Sequence, residues 1–377
     1  MAALPSVPYY PRPLLTEQVL RVFGSGLRQG VTLFAPRRQG KTWFVQNELR
    51  PAAYEAGWQT IYIDLWRLRS NLTLGLVRAL ERELRSKDTW KPTKVTFGAG
   101  LPVFNTSVEF EPVAADDATG TNKVPLEERL EVAIDGIVAK ANVTLLILDE
   151  FQTLAATKDE DFVAALRTVF QKHTGRLLIF YTGSSRDALN SMFRRAKAPL
   201  FQSAQPLILP DLGDDFVVDR AELLHERTGL EVNRNELAAA FERLGRSPEF
   251  LNWLIVDMML RGDADVAISL RNWLEQQRDE VYKEMLAGLK DHDMGLLMFL
   301  ALPETPGLYS AEGMAKIESL SPSNDELDPS RIQSSLRRLR NIGLVAPTGR
   351  KGEYELEDRR LLLWLREYMD QASAPSD

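Results

Sequence analysis

Over roughly the first 210 positions, short continuous apolar runs alternate with stretches whose apolar residues recur at helical spacing. Val31–Ala35, Thr60–Leu65, Val143–Leu148 and Leu177–Tyr181 read as four buried strands, and Leu207–Leu209, bounded by Pro206 and Pro210, as a short fifth. Strands alternating with helices predict an α/β fold with a mostly parallel sheet. From Asp214 to about Leu289 the pattern turns helical, with Phe216–Arg227, Arg234–Leu244 and Glu249–Leu260 as the clearest segments. The remainder predicts two or three short helices, a hairpin from Gly343–Ala346 and Glu353–Leu356, a helix over Arg359–Asp370 and a frayed tail, Gln371–Asp377. One segment breaks the first pattern: Lys94–Phe110 alternates around Val95, Phe97, Val103, Val108 and Phe110, and Ala114–Asn122 follows as loop. It reads as an inserted hairpin, about 93–124, either a surface ornament or a partner-contacting element. The predicted domains are therefore 1–210, 211–288 and 289–377.

Composition narrows the chemistry. The 377 residues contain no cysteine, which excludes disulfides, thiol nucleophiles and Cys-ligated zinc. The three histidines, His173, His225 and His292, have no metal-motif spacing. A net charge of −7 fits poorly with a wholly basic nucleic-acid coat, although local basic patches stay open. Met1–Pro13 has four prolines but no basic, apolar leader, and runs such as Leu296–Leu302 are far short of the ~20 residues that span a bilayer. The expectation is a cytoplasmic protein with no membrane contact.

The strongest motif is Ala35-Pro36-Arg37-Arg38-Gln39-Gly40-Lys41-Thr42, set between the first strand and a predicted helix, Thr42–Glu48. It matches the phosphate-loop pattern GxxxxGK[ST] except at its first position, where Ala35 replaces glycine. Such a loop wraps phosphates with successive backbone N–H groups at a helix N-terminus. Pro36, Arg37, Arg38 and Gln39 form the wrap, and Gly40 lets the backbone approach. Lys41 supplies a cation to the β- and γ-phosphates, and Thr42 a hydroxyl to Mg²⁺. The competing reading is a chance GKT in a turn, which the strand before and helix after disfavour.

A second motif is Leu145-Leu146-Ile147-Leu148-Asp149-Glu150, a buried strand ending in two carboxylates at the edge where open α/β sheets bind ligands. Asp149 suits a Mg²⁺ ligand and Glu150 a base for water. Read alone, either could instead cap a helix before Phe151-Gln152-Thr153-Leu154. The strand Leu177–Tyr181 ends in Thr182-Gly183-Ser184-Ser185, small polar residues that fit a γ-phosphate contact or an ordinary turn.

These motifs, with Arg12, Tyr62-Ile63-Asp64-Leu65, Leu146–Leu154, Ala165-Leu166-Arg167, Gln171 and Tyr181–Ser185, resemble AAA+ P-loop ATPases of the bacterial and archaeal group near the STAND switches. The resemblance spans roughly Tyr10 to Leu260. It implies ATP and Mg²⁺ as cofactors, nucleotide contacts from Arg12 and the phosphate loop, and metal contacts from Thr42 and Asp149. It implies catalytic roles for Lys41, Asp149 and Glu150, and for Ser184 at the sensor 1 position. Gly245-Arg246-Ser247-Pro248 resembles the turn of the helical lid, making Arg246 the sensor 2 residue. Arg194 and Arg195 fit by location an arginine finger acting on a neighbouring copy in a homo-oligomer. Phe201-Gln202-Ser203-Ala204 departs from the pattern by lacking an arginine.

Between Arg331 and Lys351 the chain carries six basic residues and no acidic ones. Ile332, Leu336, Leu339 and Ile342 share one helical face, leaving Arg331, Gln333, Ser334, Arg337, Arg338 and Asn341 on others. With Thr348-Gly349-Arg350-Lys351-Gly352 as the turn of the following hairpin, this resembles a winged helix. Arg331, Arg337, Arg338, Arg350 and Lys351 are then the residues for double-stranded DNA. A protein-binding module, or a merely solvated basic face, is the alternative. Trp253, Trp273 and Trp364 read as core, and His173 as a helix-end residue. Two functions compete: an ATPase that couples Mg-ATP hydrolysis to conformational change or assembly on DNA or a protein, and a low-turnover nucleotide switch or adaptor for DNA or an effector protein in a mobile-element or phage-defence setting.

Overall fold

A computed structural model of the protein describes residues 9–35, 38–68, 70–86, 90–91, 94–95, 103–104, 124–157, 159–184, 186–194, 198–277, 282, 286, 288–323, 327–348 and 352–373. Packing separates two compact units, Met1–Ala35 with Gly40–Leu209, and Pro36–Gln39 with Pro210–Asp377.

The first unit opens with α1 (Pro13–Gly24) and β1 (Gly30–Phe34). The phosphate loop then leads into α2 (Lys41–Phe44), a π-helical stretch (Val45–Leu49) and α3 (Arg50–Glu55). The single helix expected over Thr42–Glu48 is thus interrupted. Pro51 has no amide to donate, so a regular i→i−4 ladder cannot run through it, and the ladder widens just before it, Arg50 N–H donating to Val45 O. Next come β2 (Gln59–Asp64), α4 (Leu72–Arg85) and a two-rung ladder of β3 (Lys94–Val95) with β4 (Val103–Phe104). Phe97, Val108, Phe110 and the 114–122 loop of the expected insertion lie outside the described residues. α5 (Leu126–Ala139), β5 (Thr144–Asp149), α6 (Glu160–Lys172), β6 (Leu177–Gly183), α7 (Arg186–Phe193) and β7 (Ala204–Ile208) complete the unit. β7 starts earlier than Leu207 and includes Pro206, which an edge strand tolerates because it has no second partner to donate to.

All ladders of the five-stranded sheet are parallel, in the order β2-β5-β6-β1-β7. The central strands are buried on both faces, which is why they read as unbroken apolar runs. Leu145 and Ile147 pack with α1 and the α2 region, whereas Leu146 and Leu148 pack with α4, α5 and α6. The parallel order brings the carboxyl ends of β1, β2, β5 and β6 to one edge.

The second unit contains α8 (Asp214–Thr228), α9 (Arg234–Arg243), α10 (Pro248–Arg261) and α11 (Val266–Gln276). It then runs through α12 (Asp291–Ala301), α13 (Ala311–Leu320), α14 (Pro329–Asn341), the antiparallel pair β8 (Val345–Pro347) and β9 (Tyr354–Leu356), and α15 (Arg359–Ser373). Three helices followed by a hairpin is the order of a winged helix. Ile332, Leu336 and Leu339 are buried in its core with Trp364. Ile342 is not: it falls just past the last turn of α14, where the helical face ends, and is 54% exposed. Trp273 is buried and Trp253 half-buried. Among the described residues no helix is long and apolar enough to cross a membrane.

Candidate nucleotide-binding site

The phosphate loop is anchored at its base by the Ala35 amide, which donates to Gly183 O at 3.3 Å. Ala35 is absent from the positions with positive φ, so its Cβ is no obstacle at the place where the pattern has glycine. Arg38 (φ 69°) and Gly40 (φ 85°) are left-handed, and a Cβ on Gly40 would stand 3.4 Å from the Arg12 guanidinium. Pro36 and Arg37 lie outside the described residues. Gln39 and Lys41 are buried, and Arg38 pairs with Glu249 at 3.1 Å.

Lys41 donates from Nζ to Ala35 O at 3.1 Å and lies 3.6 Å from Oε1 of Glu150. The Thr42 hydroxyl donates to Oδ2 of Asp149 at 3.2 Å. Asp149 is 2% exposed, so its charge depends on donors, and these surround it. Tyr62 O–H reaches Oδ2 at 2.6 Å, and Oδ1 accepts the Thr182 hydroxyl and, at 3.0 Å, the Glu150 amide. Burial, and then the Asp149 charge, hold the Tyr62 phenol protonated far above its ordinary range. Burial and the same charge push the Asp64 carboxyl up.

Glu150 has φ 52°, a left-handed conformation that costs a non-glycine residue roughly 1–2 kcal/mol. Packing enforces it. Phe151, buried, lies 4.6 Å from Tyr181 and 5.8 Å from Phe193, ring centre to ring centre, and fixes where the chain leaves β5. Oε2 of Glu150 accepts from Ser184 Oγ at 2.8 Å and from Gln152 Nε2, which also donates to Ser184 at 3.2 Å.

The structure therefore gathers Lys41, Thr42, Asp149, Glu150 and Ser184 at the carboxyl edge of the sheet, with Arg12 beside Gly40. Sequence reading missed Tyr62, Thr182 and Gln152 as donors to the two carboxylates. Thr182 carried a signal, since it stands at the same strand tip as Ser184; Tyr62 and Gln152 fall within runs that carry the resemblance, but nothing in the sequence gives either a role.

Arg194 is exposed at the end of α7, and Arg195 lies outside the described residues. Arg246 (φ 53°), in the second unit, pairs with Glu242 and donates to Leu212 O at 3.4 Å. On α14, Arg331 and Arg337 are exposed. Arg338 instead grips Asp293 of α12 through two hydrogen bonds of 3.0 and 2.7 Å, and Asp293 is 1% exposed. Arg350 and Lys351 lie outside the described residues. His173, at the end of α6, bonds Asp135 at 2.7 Å.

No protein-family model and no curated protein matches the chain. Solved structures do. A Walker-type ATPase of Pyrococcus abyssi superposes with a TM-score of 0.63 at 17% identity, covering 95% of this chain and 99% of that one. The ORC2 protein of Aeropyrum pernix in its ADP form gives 0.56 at 15% identity, covering 98% and 97%. The same protein in ADPNP–ADP complexes gives 0.54 at 15% identity, covering 97% and 98%. The chain thus has the AAA+ P-loop fold, with a five-stranded parallel sheet, and ends in three helices, a two-stranded antiparallel ladder and a last helix.

Proposed function

We propose that this chain binds Mg-ATP and hydrolyses it, coupling the reaction to conformational change or assembly on DNA or a protein partner. The observation that carries this is the meeting of Lys41 and Thr42 with Glu150 and Asp149, at 3.6 and 3.2 Å, on the fold just described. The A. pernix structures hold ADP or ADPNP, which accords with a nucleotide as the ligand.

The residues fit Mg²⁺. Thr42 and Asp149 offer hard oxygens at one point, the donor type that cation takes. Bound there, it would neutralise charge developing on the phosphate oxygens. Arg12 and Gly40, with the loop residues Pro36, Arg37, Arg38 and Gln39 that the sequence motif supplies, would contact the phosphates, and Lys41 would be the cation for the β- and γ-phosphates. Glu150 orients water for in-line attack and takes its proton as the new P–O bond forms and the β–γ bridge breaks, leaving ADP and phosphate. Ser184 and Gln152 hold the Glu150 carboxylate in place. Arg246 acts from the lid, and Arg194 or Arg195 acts on a neighbouring copy.

Arg331 and Arg337, exposed on α14, support duplex DNA as the partner, which the basic run from Arg331 to Lys351 in the sequence also favours. The contacts of Lys41, Ser184 and Gln152 with Glu150 also favour a slower variant of the same function, a nucleotide switch whose base is restrained until a partner binds. Phosphate release with and without duplex DNA separates the two. Basal turnover lost in Lys41→Ala supports the ATPase, and turnover seen only with a partner, and lost in Arg194→Ala, supports the switch. Failure of the wild-type protein to bind ATPγS with Mg²⁺ overturns both.

A further inference from the structure

Glu48 sits in the π-helical stretch behind the phosphate loop, and none of the roles above uses it. Its carboxylate nonetheless gathers a separate part of the chain. The Arg12 amide donates to both of its oxygens at 2.8 Å, the Thr16 hydroxyl donates to Oε2 at 3.3 Å, and the Tyr9 hydroxyl donates to Oε1. The Tyr9 ring also stacks on Trp43 of α2, 6.1 Å between centres and 17° from parallel. Residues 9–16 are thus strapped onto the helix that the phosphate loop opens. Arg12, 7% exposed, lies within this strap with its guanidinium against Gly40.

A carboxylate is an expensive way to cap α1. Burial works against its charge and pushes the Glu48 carboxyl up to about 7, the Arg12 amide only partly offsetting it. The local acceptor for an N-cap amide is a Glu or Gln side chain at the third helical position, and here that position is Leu15. What Glu48 does that a local cap cannot is tie the position of Arg12 to the phosphate-loop helix.

We propose that Glu48 is a positioning residue, which holds residues 9–16 on the phosphate-loop helix and so keeps the Arg12 guanidinium where it meets the nucleotide phosphates. This rests on the reading of the loop as an ATP site, and the test separates the two. ATPγS affinity is measured for the wild type, Glu48→Ala, Arg12→Ala and the double variant, with amide hydrogen exchange of residues 9–16 recorded without nucleotide. Each single substitution is expected to weaken affinity by about tenfold. The double variant is expected to match Arg12→Ala within about twofold, because one change acts through the other. Exchange over 9–16 should rise in Glu48→Ala while the sheet stays protected. Glu48→Gln, which keeps an acceptor oxygen, gives a folded variant with the same pattern at a loss of about threefold. Additive losses, or unchanged exchange over 9–16, overturn the proposal. Wild-type protein that binds no ATPγS overturns the ATP site instead, and the exchange data still decide whether Glu48 holds the strap.

Discussion

The Thr42 hydroxyl donates to Asp149 at 3.2 Å across 107 residues of sequence, joining the end of the phosphate loop to the end of β5. A hydroxyl and a carboxylate that share a hydrogen bond at a sheet edge can share a cation. Thr42→Ala and Asp149→Asn are therefore expected to lower ATPγS affinity by about 10–100-fold with Mg²⁺ present. Calorimetric titration in excess chelator should leave each within about threefold of the wild type, because neither residue supplies the phosphate-binding amides.

Glu150 is held by Ser184 at 2.8 Å and by Gln152. Removing either donor lets the carboxylate reorient without touching the nucleotide contacts. Ser184→Ala and Gln152→Ala should each reduce kcat by about tenfold with KM changed less than about twofold. A matching rise in KM would place them among the binding residues instead.

How much of this was legible in the sequence follows from where each residue's partners lie. Leu145–Leu148 could be read because a strand covered on both faces must be apolar throughout, and the loop because its chemistry is local. Tyr62 could not, and Thr182 only as one of the small polar residues at a strand tip. They meet Asp149 only through strand register: Asp64 lies opposite Asp149, and Thr182 is one position beyond the Leu148–Tyr181 rung. Ile342 was misread because helical spacing says nothing about where a helix ends. Arg338 reads as a DNA contact in the sequence because its partner, Asp293, is 45 residues away on another helix.

That pair has a consequence for the basic face. Burial acts to raise the Asp293 carboxyl, but hydrogen bonds from Arg338 and Ser335 outweigh it and hold the group below its usual range. Its contribution to stability is present above the ordinary carboxylate pKa and is lost as the pH falls through the lowered one. Arg338→Ala strands a buried charge and should cost about 2–4 kcal/mol in denaturant unfolding at pH 7. Arg337→Ala should cost less than about 0.5 kcal/mol and, with duplex DNA, reduce the salt dependence of binding by about one unit of slope. Equal losses of stability would contradict the distinction.

Glu48 has the opposite sign. Its carboxyl is pushed up to about 7 by burial, among the Tyr9 and Thr16 hydroxyls and the Arg12 amide. Folding thus favours the protonated form, and that stabilisation is full below about pH 4.5 and lost as the pH rises through 7. The change is on the order of 2 kcal/mol after allowing for partial solvent access. Unfolding free energies measured from pH 5 to 8 should fall less steeply in Glu48→Gln than in the wild type.

The most direct test of the central claim, that this site hydrolyses ATP through Glu150, pairs ATPγS binding with steady-state phosphate release in the wild type and Glu150→Gln. The account predicts that both proteins bind with affinities within about threefold and that the variant releases phosphate at least about 100-fold more slowly. Equal release by the two proteins, or ATPγS binding by neither, would contradict it.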